Sequence, residues 1–533
     1  MYHIENMNIR TMEIAERTTV AEIMYRNARK YPKKEAIVFK DKRLTFRELD
    51  ELSNQVANFV VGLGVKKGDR VAILMRNSEK FPAVYFGVLK AGAVIICINI
   101  SFMKPEVKYI LEDSGAKLLI FDEFFGPVLK GLPQETPGVD NFVCVGENPP
   151  EGTLGYFDLM AKSSTDRPPV RVTENDPCSI IYTSGTTGSP RGALFDHRAV
   201  VYNASVVGVI NHGFRHFSRS LIMMPLFHSA PLHNHFLGTS FVGGTNVILE
   251  AFDPKLFLET IQEEKTTHFF GPVVVYLTCL KLLDVKQYDL SSMQLFVMGG
   301  SPASSEDQAR IIEEFGLKGR FQQVYGLTES GPAGNALFSE EIELKPRALG
   351  LNGCLGGELI IVDKDLNKIE EPGVVGELAV FCESHMVGYF NDPEKTANTL
   401  INGWILTGDL AMYDEDEYIY FVDRSKDMII SGGQNVYSKE IEDVIMGHPA
   451  VMEVAVIGAP HPEWGESVKA VVSLRPGATA TPEEIKTFCA DKLAKFKRPR
   501  YVQIVEAIPH NPAGKIVKPE IRKLYGQAED KAL

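Results

Sequence analysis

The sequence predicts an α/β protein built from a large and a small part. Three observations carry this: apolar strand-like runs alternate with amphipathic helical runs over the first three hundred or so residues, shorter strands with turn signals follow, and the last stretch shows its own helix and strand pattern with a different charge balance. The first helical run opens at Thr45, where Thr45 and Glu48 have capping-box spacing and Leu49, Leu52, Val56, Phe59, Val60 and Leu63 recur on one face. Next come the strand run VAILM (71–75), a helical stretch from Glu79 to Ala91, strand-like VIICINI (94–100), a helix near 105–113 and KLLIFD (117–122). Such alternation implies βαβ units, because parallel neighbours need a crossover and a helix supplies it. A second series runs from about Ala199 to Gly300, with strands at SLIMMP (220–225), TNVIL (245–249), HFFG (268–271) and LFVMG (295–299).

After about residue 350, GELIIVD and GELAVF suggest a small β-rich subdomain over about 350–423. From Arg424 the chain holds 16 Lys+Arg and 14 Asp+Glu, against 40 and 55 before it. That tail predicts a helix from Ser438 with Ile441, Val444 and Ile445 inward, strands at VAVIG and KAVVSL, and a helix after Thr481-Pro482. The expected division is a large N-terminal domain over 1–423 and a small α+β C-terminal domain over 424–533.

Composition narrows the function classes. With 533 residues, 44% hydrophobic and 23% charged, the chain has ample core material and no compositional case for disorder. A net charge of −13 has the wrong sign for a surface that grips nucleic acid throughout. Seven cysteines without a CxxC pair write neither a disulfide framework nor a zinc ribbon, which points to a reducing compartment. The N-terminus lacks a signal-peptide core, and the best apolar run, Ala91 to Met103, is too short to span a bilayer and contains Asn99. The expectation is a cytoplasmic protein with at most peripheral membrane contact.

The loop from Thr183 to Gly192, TSGTTGSPRG, concentrates hydroxyls, glycines and one cation just after Ile180-Ile181. Glycines let the backbone approach an anion, and hydroxyls with N–H groups donate to phosphate oxygens. It is not a Walker A loop, whose spacing fails here. The string resembles the phosphate-binding loop of the adenylate-forming superfamily of acyl-CoA synthetases, peptide-synthetase adenylation domains and luciferases, with Arg191 where Lys is usual. Other motifs occur in family order: GGSPAS (299–304), QVYGLTES (323–330), TGDL (407–410), DRSKDMIISGGQNVYSKEIE (423–442) and NPAGKIVK (511–518).

The resemblance implies an ATP/AMP site made by Thr183, Ser184, Gly185, Thr186, Thr187, Gly188, Arg191, Gly300, Ser301, Gln323, Tyr325, Gly326, Thr328, Asp409, Arg424 and Lys515. In it Tyr325 stacks on the purine, Thr328 bonds a phosphate, Asp409 and Arg424 take the ribose, and Glu329 holds Mg²⁺. Lys515 bridges the substrate carboxylate and the α-phosphate, where a point cation meets growing charge. Gly432 and Gly433 line the coenzyme A pantetheine, and Lys426 is the pivot of a hinge at 424–427 about which the small domain moves. The segment PLFH (225–228) is similar to the family's aromatic gate, which puts His228 beside the acyl pocket and counts it with Lys515, Thr328 and Glu329 among the catalytic residues. His233 and His235 could join His228 on zinc, but no carboxylate or cysteine accompanies them, so helix or core is their better reading. FKRPR (496–500) reads as a solvated basic face that meets coenzyme A phosphates rather than nucleic acid.

The implied function is an acid-CoA ligase that activates a medium- to long-chain fatty acid as acyl-AMP and transfers it to coenzyme A. Aryl acids such as benzoates or cinnamates are the rival substrates. Carrier-protein loading and luciferase-like oxygenation are the rival reactions. A homodimer is within expectation.

Overall fold

The computed structural model describes residues 14–183, 190–300, 303–353, 356–510 and 516–529. The chain divides into two compact units, Met1–Pro346 with Leu351–Leu359 and Val380–Ile405, and Arg347–Gly350 with Ile360–Ala379 and Leu406–Leu533.

In the first unit the two predicted βαβ series form two sheets, each of eight strands among the described residues. One has the order Gly334–Phe338, Phe321–Gly326, Leu295–Gly299, His268–Gly271, Arg219–Ile222, Thr245–Ile248, Glu35–Phe39, Lys42–Thr45. Its inner strands are parallel, and an antiparallel strand closes each end. The other has the order Gly388–Tyr389, Arg191–Asp196, Pro177–Thr183, Val94–Cys97, Arg70–Leu74, Leu118–Asp122, Asn141–Val145, Leu154–Gly155. Arg191–Asp196 runs antiparallel to both of its neighbours, and from Pro177–Thr183 onward each neighbouring pair is parallel. The largest core joins Ile37 and Ile248 of one sheet to Ile73, Ile95 and Phe195 of the other through the helices between them.

The helix Phe46–Gly62 begins as the sequence requires. Thr45 Oγ1 accepts from the Glu48 N–H at 3.3 Å and the Glu48 carboxylate accepts from the Thr45 N–H at 2.7 Å. It packs on the helix Lys80–Lys90 so closely that a Cβ on Gly87 would stand 2.4 Å from Val56 Cβ, so glycine is needed there. Two segments are π-helices, Asn203–Ile210 and Ala230–Phe236, and the second carries His233 and His235, which the sequence reads as helix or core. Gly208 of the first meets the Asn234 carbonyl of the second, where a Cβ would lie 2.6 Å from the oxygen.

In the second unit, Gln434–Val436, Ile429–Ser431, Gly465–Leu474 and Val451–His461 form a sheet that Tyr501–Val505 extends in parallel. The predicted helices Ser438–Met446 and Pro482–Ala490 bury Ile441, Ile445, Ile485 and Cys489 against it. The short strands form a further sheet in the order Ala348–Gly350, Ile419–Arg424, Trp404–Tyr413, Gly376–Phe381, Glu358–Val362. Compactness thus groups Ile360–Ala379 and Leu406–Asp423 with the residues after them. No helix among the described residues is long and apolar enough to cross a membrane.

Candidate active site

The phosphate-loop motif sits at the tip of an antiparallel hairpin. Pro177–Thr183 leads in, Arg191–Asp196 leads out, and Thr183 lies opposite Arg191. Ser184, Gly185, Thr186, Thr187 and Gly188 lie outside the described residues. The Thr183 hydroxyl donates to the Arg191 carbonyl at 3.4 Å, and the Tyr182 hydroxyl donates to Asp113 at 2.6 Å, so the base of the loop is fixed on both strands. Arg191 is half-buried, with Nε 3.7 Å from the Asp392 carboxylate.

The strand Phe321–Gly326 carries Gln323, Tyr325 and Gly326 and ends in a tight turn, Thr328–Ser330. Gln323 accepts a hydrogen bond from Gln308, and Tyr325 lies opposite Asn335. The Thr328 and Ser229 hydroxyls are 3.2 Å apart. Glu329 is held from two directions: its carbonyl accepts from the Met386 N–H at 2.8 Å, and its Oε1 accepts from the Tyr389 hydroxyl at 2.7 Å. Burial and the Glu329 charge push the Tyr389 phenol well above its usual pKa, so it remains a donor. Gly300 has φ +82° just after the strand Leu295–Gly299, and Ser301 lies outside the described residues. His228 is half-buried with its ring 4.2 Å from that of Phe227. His233 and His235 are buried in the second π-helix, and among the described residues no cluster of three or more His, Cys, Asp or Glu could hold a metal ion. With Oε1 engaged by Tyr389, Glu329 can offer Oε2 as a hard oxygen ligand. That donor set suits a magnesium ion brought by a polyphosphate, since Mg²⁺ needs only one or two protein carboxylates beside phosphate oxygens and water.

In the second unit, Asp409 and Arg424 are cross-strand partners, with Arg424 Nε 3.3 Å from Asp409 Oδ1. Asp409 is buried, and its N–H donates to the Thr407 hydroxyl at 3.0 Å. Lys426 is exposed in the turn Ser425–Asp427, whose Asp427 pairs with Arg522 at 2.8 Å. Gly432 and Gly433 form the tip between Ile429–Ser431 and Gln434–Val436 at φ +58° and +77°, and the Gly432 N–H donates to the Trp464 carbonyl at 3.0 Å. Lys515 lies outside the described residues. Nearby Lys518 pairs with Glu442 at 2.8 Å, and within the basic run Lys497 pairs with Glu440 at 2.7 Å while Arg500 lies over the Trp464 ring at 4.6 Å.

Sequence reasoning missed Tyr389, Ser229 and Asp392. Tyr389 follows Glu329 by 60 positions, and only the pairing of Gly388–Tyr389 on Arg191–Asp196 brings it there. A surface cleft of about 710 Å³ lined by Val61, Lys66, Val170 and Arg171 holds none of these groups.

This arrangement agrees with comparisons to known proteins. The AMP-binding enzyme family matches residues 24–390, and the AMP-binding enzyme C-terminal domain matches residues 440–515. A long-chain-fatty-acid–CoA ligase of Mycobacterium tuberculosis is 35% identical over 494 residues, 91% of this chain and 94% of that protein. A fatty acid–acyl-carrier-protein ligase of Streptomyces coeruleorubidus is 34% identical over 513 residues, 94% of this chain and 95% of that protein. The crystal structure of an anthranilate CoA ligase in complex with anthranoyl-AMP matches with a TM-score of 0.87 at 30% identity, over 95% of this chain and 97% of that one. The chain belongs to the AMP-binding enzyme family, the adenylate-forming enzymes that use ATP. Within that family it is an enzyme of the acyl-CoA ligase kind.

Proposed function

We propose that this chain converts a carboxylic acid, ATP and coenzyme A into an acyl-CoA thioester, AMP and pyrophosphate, with a medium- to long-chain fatty acid as the first candidate substrate. The observation that carries the reading is the Ser229, Thr328, Glu329 and Tyr389 group, in which a turn between strands presents a hydroxyl and an oriented carboxylate together. A carboxylate is a poor electrophile, so its condensation with a thiol requires a better leaving group. Its attack on the α-phosphorus expels pyrophosphate, and thiolate attack on the acyl-AMP then expels AMP. Magnesium bound with the nucleotide supplies charge neutralisation at the phosphates. The chain's own work is positioning and charge stabilisation: Thr183 and Arg191 with the loop between them on the departing phosphates, Tyr325 and Gln323 at the adenine, Asp409 and Arg424 at the ribose, Lys515 on the attacking side.

The two half-reactions call on different residues of the C-terminal region. Lys515 serves adenylation and the Gly432-Gly433 tip serves the thiol, with the bend at 424–427 about Lys426 and the moving part beginning at 424. An aryl acid is the second reading, supported by the likeness to a ligase whose structure holds anthranoyl-AMP. Pyrophosphate release measured over straight-chain, branched and aromatic acids, with and without coenzyme A, tests all of this. Thioester and AMP should appear together. Formation of ADP and an acyl phosphate instead would refute the reading.

A further inference from the structure

The helix Ser438–Met446 does not supply its own cap. The first N–H groups of a helix need acceptors, yet Tyr437 at the N-cap position makes no side-chain capping bond. The acceptor comes from fifteen residues upstream. Asp423 is 3% exposed, and its Oδ2 accepts from the Ser438 N–H, from the Ser438 hydroxyl at 2.8 Å and from the Lys439 N–H at 3.3 Å. A carboxylate at this end of a helix is also favoured by the helix dipole. Ser438 is wholly buried and extends the connection: its hydroxyl accepts from the Lys518 ammonium at 2.6 Å. Lys518 pairs in turn with Glu442, one turn further along the capped helix, at 2.8 Å.

This chain of bonds crosses the bend at 424–427. Asp423 lies before the bend, on the strand Ile419–Arg424, which is paired with Trp404–Tyr413 on one side and Ala348–Gly350 on the other. Ser438 and Lys518 lie after it. Arg522, on the same helix as Lys518, donates to Asp427 at 2.8 Å and to the Lys426 carbonyl at 3.4 Å, which binds the residues just past the pivot to the small domain. A rotation about Lys426 would therefore carry Ser438 and Lys518 away from Asp423, because three directional bonds to one oxygen do not survive a change of orientation.

The bonded arrangement suits adenylation. Lys518 stands three residues after Lys515 and is linked through Ser438 to Asp423, whose neighbour Arg424 pairs with Asp409. The Gly432-Gly433 tip lies at the opposite end of its hairpin from Val436, which precedes the capped helix. We propose that Asp423 and Ser438 are positioning residues that hold the adenylating arrangement and must separate before the thiol step, with Lys518 extending their hold to the helix that follows Lys515. This rests on the two-step reading above and adds the contacts that set the balance between its arrangements.

The test measures Asp423→Ala and Ser438→Ala in both half-reactions, using the acid that gives the wild type its fastest exchange among straight-chain, branched and aromatic acids, with urea midpoints alongside. ATP–pyrophosphate exchange should fall by about tenfold in Asp423→Ala and by less in Ser438→Ala, while thioester formation from supplied acyl-AMP and coenzyme A holds or rises. Tyr437→Asp added to Asp423→Ala gives the helix a local cap. It should restore the urea midpoint without restoring exchange. Recovery of both would make Asp423 a helix cap alone and would overturn the proposal. Equal losses in the two half-reactions, or exchange unimpaired in both single variants, would overturn it too. So would a loss confined to the KM for ATP, which traces instead to Arg424, whose N–H donates to Asp423 Oδ1 at 2.7 Å. Wild-type protein that shows no exchange with any of the acids would sink the acid-activating reading itself, a failure distinct from active protein whose variants keep the two rates in step.

Discussion

A carboxylate that accepts from a phenol has one oxygen committed and its plane fixed, which is how Tyr389 acts on Glu329. Removing the hydroxyl frees the carboxylate to rotate. Tyr389→Phe should therefore weaken magnesium-dependent adenylation by roughly 10- to 100-fold, the equivalent of about 1.5 to 3 kcal/mol for a hydrogen bond to a charged group. A magnesium titration of ATP–pyrophosphate exchange checks this, and an unchanged titration would remove Tyr389 from the site. Lys90 makes a different residue-scale case. Its fully buried ammonium donates to Asp50 at 2.6 Å, Ser53 at 2.7 Å and Asn54 at 2.8 Å, with the Tyr25 ring 4.3 Å away. Burial pushes its pKa down to about 8 despite the Asp50 charge that opposes it. Lys90→Met leaves those acceptors unpaired and should cost about 3 to 5 kcal/mol, the usual penalty for breaking a buried pair from one side. Urea unfolding gives the number, and a loss below about 1 kcal/mol would show that water replaces the ammonium easily.

At the scale of the element, legibility follows the range of the interaction that sets it. The capping boxes at Thr45 and Thr481 close within four residues, so both helix starts can be read from the chain and both exist. The π-helices cannot be read this way. Over seven or eight residues their spacing hardly differs from that of an α-helix, and what selects them is packing against each other at Gly208. Glu329 is legible because its motif is contiguous, whereas Tyr389 needs a sheet-edge pairing that no local pattern announces. The Gly432-Gly433 tip carries the functional prediction at this scale. Nothing crowds a Cβ at Gly432, with Trp464 Cδ1 3.9 Å away, but its φ of +58° penalises any side chain, most of all a β-branched one. Gly432→Val should slow thioester formation from supplied acyl-AMP by roughly 5- to 30-fold, matching a strain of about 1 to 2 kcal/mol, and leave ATP–pyrophosphate exchange near wild type. Lys515→Ala should do the opposite. Four half-reaction rates measured on the two variants decide it, and parallel losses in both would count against separate roles.

At the scale of the whole molecule, five of the described histidines, His197, His212, His233, His235 and His268, are buried, and burial favours their neutral form. Burial lowers His197 and His212 to about 4 and His233 and His268 to about 3, against an ordinary value near 6.5. Below pH 6.5 the unfolded chain binds protons that the folded chain refuses. The stability these groups confer is therefore complete above pH 6.5 and is lost as pH falls toward 4, at up to about 1.4 kcal/mol per histidine per pH unit. Urea midpoints at pH 7, 6, 5 and 4.5 should fall steeply over that window. A flat profile would mean the imidazoles are charged or accessible in the fold.

The two compact units are interleaved along the chain, and this has a consequence for biosynthesis. The second unit starts with Arg347–Gly350 and Ile360–Ala379, but these strands gain their neighbours Trp404–Tyr413 and Ile419–Arg424 only later in translation. The first unit is likewise incomplete at Pro346, because Val380–Ile405 supplies the edge strand that carries Tyr389. A nascent chain stalled near residue 350 would hold two nearly finished sheets with one edge bare and Glu329 lacking its phenol. Exposed strand edges recruit other chains, so the interval between residues 350 and 410 is when a ribosome-bound chain of this protein most needs a chaperone.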